Sequence, residues 1–130
     1  MDGIFIPGNV PSSKNSKQWT GKMLIHSKTV RRYISATKTH YINSKKVFDS
    51  RLAKLCHWKT STIFPLHISF YFIRNSKRKF DYINPAQTVQ DLMVKYNRID
   101  DDNCDIMIPV FKGYHIDKEK PGVIINILEP

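Results

Sequence analysis

Residues 64–96 read FPLHISFYFIRNSKRKFDYINPAQTVQDLMVKY. The first part alternates as a strand does over 64–73. Leu66, Ile68, Phe70 and Phe72 share one face, and His67, Ser69 and Tyr71 the other. A basic run follows, Arg74-Asn75-Ser76-Lys77-Arg78-Lys79, and delivers the chain to Asp81. A helix then opens at Asn84 or Pro85, where proline is tolerated. It runs to about Tyr96 with Val89, Leu92, Met93 and Tyr96 as its apolar stripe. Strand, basic loop and helix in direct succession make a unit whose apolar faces must be covered by the rest of the chain.

Working outward from that unit, Asn97-Arg98-Ile99 leads to the acidic run Asp100-Asp101-Asp102-Asn103. Ile106–Phe111 and Gly122–Leu128 then read as two strands. They are separated by a charged excursion from Lys112 that closes on Pro121-Gly122, a turn signal. Upstream, Gly3–Pro7 reads as a short strand, followed by a polar loop over 8–17. That loop offers phosphate-contacting donors or is a plain surface loop. Met23–His26 and Val30–Ile34 read as a basic hairpin or extended arm, with Arg31 and Arg32 upon it. Ser35 is the expected N-cap of a helix from Ala36 to Cys56, on which Tyr41, Phe48 and Leu52 recur at helical spacing. The expected fold is α+β: a single compact domain over 1–130, with two main helices on a small mixed sheet.

Composition limits the function classes. The chain has 130 residues, 41% of them apolar, enough for a core without staples. It carries 21 Lys and Arg against 11 Asp and Glu, a net charge of +10. Such a balance favours a polyanionic partner, nucleic acid before membrane, over the alternative of simple solubility. No apolar run approaches the roughly 20 residues of a membrane span. The opening MDGIFIPGNVP does not read as a signal peptide. Cys56 and Cys104 fit no metal or disulfide spacing, so the expected setting is a reducing cytoplasm.

The acidic residues are concentrated. Asp81, Asp91, Asp100, Asp101, Asp102 and Asp105, six of the eleven, fall within 80–105. Hard Mg²⁺ takes one or two carboxylates plus water and phosphate oxygens. Such a cluster inside a basic protein is therefore a candidate metal site facing a phosphodiester, with Mn²⁺ as the other metal considered. Asn84, Gln87 and Asp91 share a helix face, which puts Asp91 on the side nearest Asp81. The competing reading of Asp91 is a surface carboxylate or one paired with Lys95.

These residues carry a family resemblance over nearly the whole length. The opening strand with Pro11-Ser12 and Asn15, the run Tyr33-Ile34-Ser35-Ala36 with Tyr41, and above all Asp81, Asn84, Asp91-Leu92 and Asp101-Asp102 resemble the RusA-type Holliday-junction resolvases. Those are small endodeoxyribonucleases of phages and prophages. The resemblance implies a Mg²⁺-dependent nuclease acting on branched DNA as a homodimer. It implies Asp81 and Asp102 as metal ligands, with Asp101 and Asp91 completing or supporting the site. Lys14, Asn15, Lys17, Arg31, Arg32, Arg74, Lys77, Arg78 and Lys79 are the residues expected to hold DNA. Two positions depart from the pattern: Ile83 stands where the family has a second aspartate, and Gln87 where it has a lysine. The alternative is a DNA-binding relative with weak or no cleavage.

Overall fold

The fold is taken from a computed structural model, which describes residues 3–12, 17–19, 24–55, 65–96 and 106–128. The elements run β1 (Ile4–Pro7), β2 (Lys17–Trp19), β3 (Leu24–His26), α1 (Lys28–Leu55), β4 (Leu66–Arg74), α2 (Ile83–Tyr96), β5 (Met107–Ile116) and β6 (Gly122–Leu128). Four strands form a mixed sheet in the order β1-β6-β4-β5, and β2 and β3 form a separate antiparallel pair. Strand β4 is central, antiparallel to β6 and parallel to β5. Helix α2 makes the crossover that a parallel β4–β5 pairing requires. The α+β architecture with two helices on a small mixed sheet is therefore present as read from the sequence.

One sheet face and both helices enclose the core. Register aligns Ile4, Ile125 and Phe70, and likewise Ile6, Val123 and Phe72, and all six side chains are buried. From α2 come Ala86, Val89, Leu92 and Met93, and Tyr96 packs at the margin. From α1 come Val30, Tyr33, Thr37, Tyr41, Ser44 and Phe48, a 3-4 spacing that begins well before Ala36. Inside it the Tyr33 and Tyr41 hydroxyls are hydrogen-bonded at 2.9 Å. Ile42, next to Tyr41 on the same helix, is 46% exposed.

Three segments differ from the sequence reading. Val30–Ile34, expected in an extended arm, belongs to α1, whose cap is Ser27 and not Ser35. The Ser27 hydroxyl accepts from the Val30 amide at 3.4 Å, and its carbonyl accepts from Arg31 at 2.9 Å. The β-branched residues look strand-like locally, but burial of Val30 and Tyr33 at helical spacing overrides that preference. The hairpin partner of residues 24–26 is accordingly 17–19. Lastly, β5 does not stop at Phe111 but runs through the supposed excursion to Ile116. It does so by a bulge at Lys112, with Gly113 at φ +114°. Among the described residues, no helix is long and apolar enough to cross a membrane.

A candidate nucleic-acid cleft

The basic run after β4 is not a free loop. Arg74, the last residue of β4, donates from Nη1 to the Val10 carbonyl at 2.8 Å, and its guanidinium lies 4.5 Å over the Phe80 ring. The Asn75 amide donates to Asn9 Oδ1 at 3.0 Å. On the other side, Thr88 of α2 donates its hydroxyl proton to the Pro11 carbonyl at 2.9 Å. Residues 8–12 are thus tied to both the strand end and the second helix. Phe80 and Tyr82 turn inward against Phe72, with ring centroids 6.2 and 6.4 Å away. That anchors the loop's apolar residues and leaves Lys77, Arg78 and Lys79 exposed.

Between these segments lies a cleft of about 960 Å³. Arg74, Lys77, Arg78 and Lys79 line one wall, with Asp81 and Asn84 beside them. Asn9–Ser12 and the start of α1, Ser27, Thr29 and Val30, complete the rim. Four cations and the positive end of α1 meet a single described carboxylate there, so the cleft attracts anions. Burial lowers the Arg74 pKa from its ordinary value by desolvation, and the group stays cationic at neutral pH.

Asp81 is exposed one residue before the α2 cap, and its carbonyl accepts from the Asn84 amide at 3.1 Å. Among the described residues the one ion pair is Lys45–Asp49, so no cation of the cleft neutralises the Asp81 carboxylate directly. Asp91 is exposed farther along α2, about 10 Å up the axis from Asn84. It accepts from Gln87 Nε2 at 2.7 Å, not from Lys95, and it does not line the cleft. Lys95 lies over the ring of Tyr96 instead.

Of the expected DNA contacts, Arg74, Lys77, Arg78 and Lys79 come together on one wall. Arg31 and Arg32 are exposed on the first turns of α1 and do not line the cleft. Lys17 falls in β2. Lys14, Asn15, Asp100, Asp101, Asp102 and Asp105 lie outside the described residues, as do Cys56 and Cys104. No group of three metal-binding side chains occurs among the described residues. The Asn9–Ser12 rim belongs to the loop that the sequence offers either as phosphate-contacting or as plain surface, whereas sequence reasoning missed the α1 terminus and the aromatic residues Phe80, Tyr82 and Tyr114. Phe80 and Tyr82 directly follow the basic run, and that position was their only signal.

No protein-family model and no curated protein matches the chain.

Proposed function

We propose that this protein binds the sugar–phosphate backbone of branched DNA in the basic cleft and hydrolyses a phosphodiester bond there. The observation that carries the reading is the placement of Asp81 on the wall formed by Arg74, Lys77, Arg78 and Lys79. A carboxylate so framed can face a phosphate only if its charge is offset, and a hard divalent cation does that. An exposed, unpaired Asp81 fits Mg²⁺ or Mn²⁺ as one of the few protein ligands such ions take. Asp101 and Asp102 are the further ligands proposed from the family resemblance. The metal would supply charge neutralisation on the phosphate and a water of lowered pKa. The chain's own part is to hold the phosphates with Lys77, Arg78 and Lys79 and to keep Arg74 fixed behind them. Selectivity would come from branch shape, since backbone contacts carry no base code. Two symmetric cuts at a four-way junction call for a homodimer acting in the cytoplasm.

A second reading is binding without cleavage. Two observations favour it: Ile83 holds no ligand atom on the first turn of α2, and Gln87 occupies Asp91 through a hydrogen bond. One experiment separates the two. A synthetic four-way junction and a matched duplex are incubated with the protein in Mg²⁺, Mn²⁺ or EDTA, and read for binding and for nicks. Metal-dependent symmetric nicks that vanish in Asp81→Asn, with junction binding kept, are the expected result. Junction binding without nicks in either metal favours the second reading. No binding at low salt overturns both.

A further inference from the structure

Strand β5 ends the sheet and leaves large aromatic side chains in solvent: Tyr114 is 49% exposed and Phe111 39%. Three residues apart on a regular strand, they would point to opposite faces. The bulge at Lys112 changes that, because Phe111 pairs with Phe70 and Tyr114 with Phe72, two residues of one face. Both rings are also backed by the loop before α2. Tyr82 stacks on Phe111 with centroids 5.3 Å apart and planes at 12°, and Phe80 meets Tyr114 edge-on at 5.0 Å. The backing rings are braced by Phe72 and by the Arg74 guanidinium. Tyr114 itself lines the cleft that carries Lys77, Arg78 and Lys79. A braced aromatic surface thus adjoins a cationic wall. Proteins that hold single strands combine these two features, stacking bases on aromatic rings while cations track the backbone.

We infer that Tyr114 and Phe111 form a stacking platform for an unpaired base of single-stranded DNA whose backbone occupies the adjoining basic cleft. This rests on the cleft being a DNA-backbone site, and it names the part of a branched substrate that the site takes: an unpaired base at the branch or in a flap. A paired duplex has no free base face to offer, so the platform discriminates between the two where the cations do not. Lys112, the extra residue of the bulge, is exposed and adds charge at the platform's edge.

The test compares an oligothymidine with a blunt two-stranded duplex of the same phosphate count, titrated at several salt concentrations. The wild type is expected to bind the oligothymidine more tightly. Tyr114→Ala is expected to lose roughly tenfold on the oligothymidine, and to keep its affinity for the duplex and its salt slope. Tyr114→Trp, which preserves a stacking face, restores the loss. A 2-aminopurine placed in the oligonucleotide is quenched by the wild type and not by Tyr114→Ala, and thermal melting of each variant reports on folding. Equal effects of Tyr114→Ala on both DNAs, or none on either, overturn the platform and leave the cleft standing. Failure of the wild type to bind either DNA at low salt overturns the cleft reading and this inference with it.

Discussion

The guanidinium of Arg74 sits 4.5 Å above the centroid of Phe80, six residues along the chain, and joins three segments through one group. Its Nη1 holds the Val10 carbonyl, its plane covers the ring, and its Nε is buried without a partner among the described residues. Charge alone does not replace that geometry, because lysine offers neither the planar fork nor the stacking face. Arg74→Ala should cost about 2 kcal/mol, from the charged hydrogen bond and the cation–ring contact together. Arg74→Lys should recover less than half of it. A double-mutant cycle with Phe80→Leu should return a coupling of about 1 kcal/mol in urea unfolding. A coupling indistinguishable from zero would show that the ring contact contributes nothing.

Alkaline pH probes the core under α1. Burial pushes the Tyr33 phenol up to about 12, although its hydrogen bonds to Tyr41 and Thr37 pull the other way. Tyr41 is also raised, first by burial and then by the charge of Tyr33 beside it. A group whose folded pKa lies above its unfolded value gives stability that is complete below the unfolded value, near pH 10. That stability drains as pH climbs toward 12, at up to about 1.4 kcal/mol per pH unit for each tyrosine. Urea midpoints should therefore fall steeply between pH 10 and 12. The double variant Tyr33→Phe/Tyr41→Phe removes both hydroxyls together, so it should be close to neutral at pH 7 and lose that steep limb. An unchanged alkaline limb in the double variant would place the titration elsewhere.

The parts of this fold that were legible are those where local pattern and tertiary burial agree. Strand β4 alternates because one face packs on α2 and α1, and the α2 stripe was read from Val89, Leu92 and Met93 for the same reason. The start of α1 was not legible, because Thr29, Val30 and Ile34 carry a strand preference that only contact with the core overrides. The second half of β5 was hidden by Lys112 and Gly113, which look like a turn and are a bulge. At the site, the basic wall was legible as a run of adjacent cations. That the rim from Asn9 to Ser12 meets this wall was not, because hydrogen bonds to Arg74, Asn75 and Thr88, more than 60 residues away, bring it there.

Gly122 lies close against the backbone of β1. A Cβ there would stand 2.6 Å from the Ile6 carbonyl oxygen and 2.5 Å from a ring carbon of Phe5. The Phe5 ring is exposed and can move, but the Ile6 carbonyl is part of the β1–β6 ladder and cannot without breaking the pairing. Gly122→Ala should therefore destabilise by about 2–3 kcal/mol. Hydrogen exchange should show the amides of β1 losing protection before those of β4. A variant within about 0.5 kcal/mol of wild type in urea unfolding would mean that β1 shifts at little cost.

Ile83 tests the proposed metal site without disturbing the core. Its side chain is 67% exposed on the first turn of α2, two residues after Asp81. Ile83→Asp removes little packing, and a carboxylate at a helix N-terminus gains about 0.3–1 kcal/mol, offset in part by repulsion from Asp81. Net stability in metal-free buffer should thus stay within about 0.5 kcal/mol of wild type. Mg²⁺ relieves the repulsion, and a ligand that binds only the folded state raises its melting temperature. Added Mg²⁺ should therefore raise the melting temperature of Ile83→Asp more than that of the wild type, and Asp81→Asn in the same chain should cancel the difference. On the proposed reading, junction cleavage in Mg²⁺ should rise in parallel, because the added carboxylate would strengthen a metal site at Asp81. If Mg²⁺ shifts both melting curves equally and the variant cuts no faster, the Asp81 end of α2 is not where the metal binds.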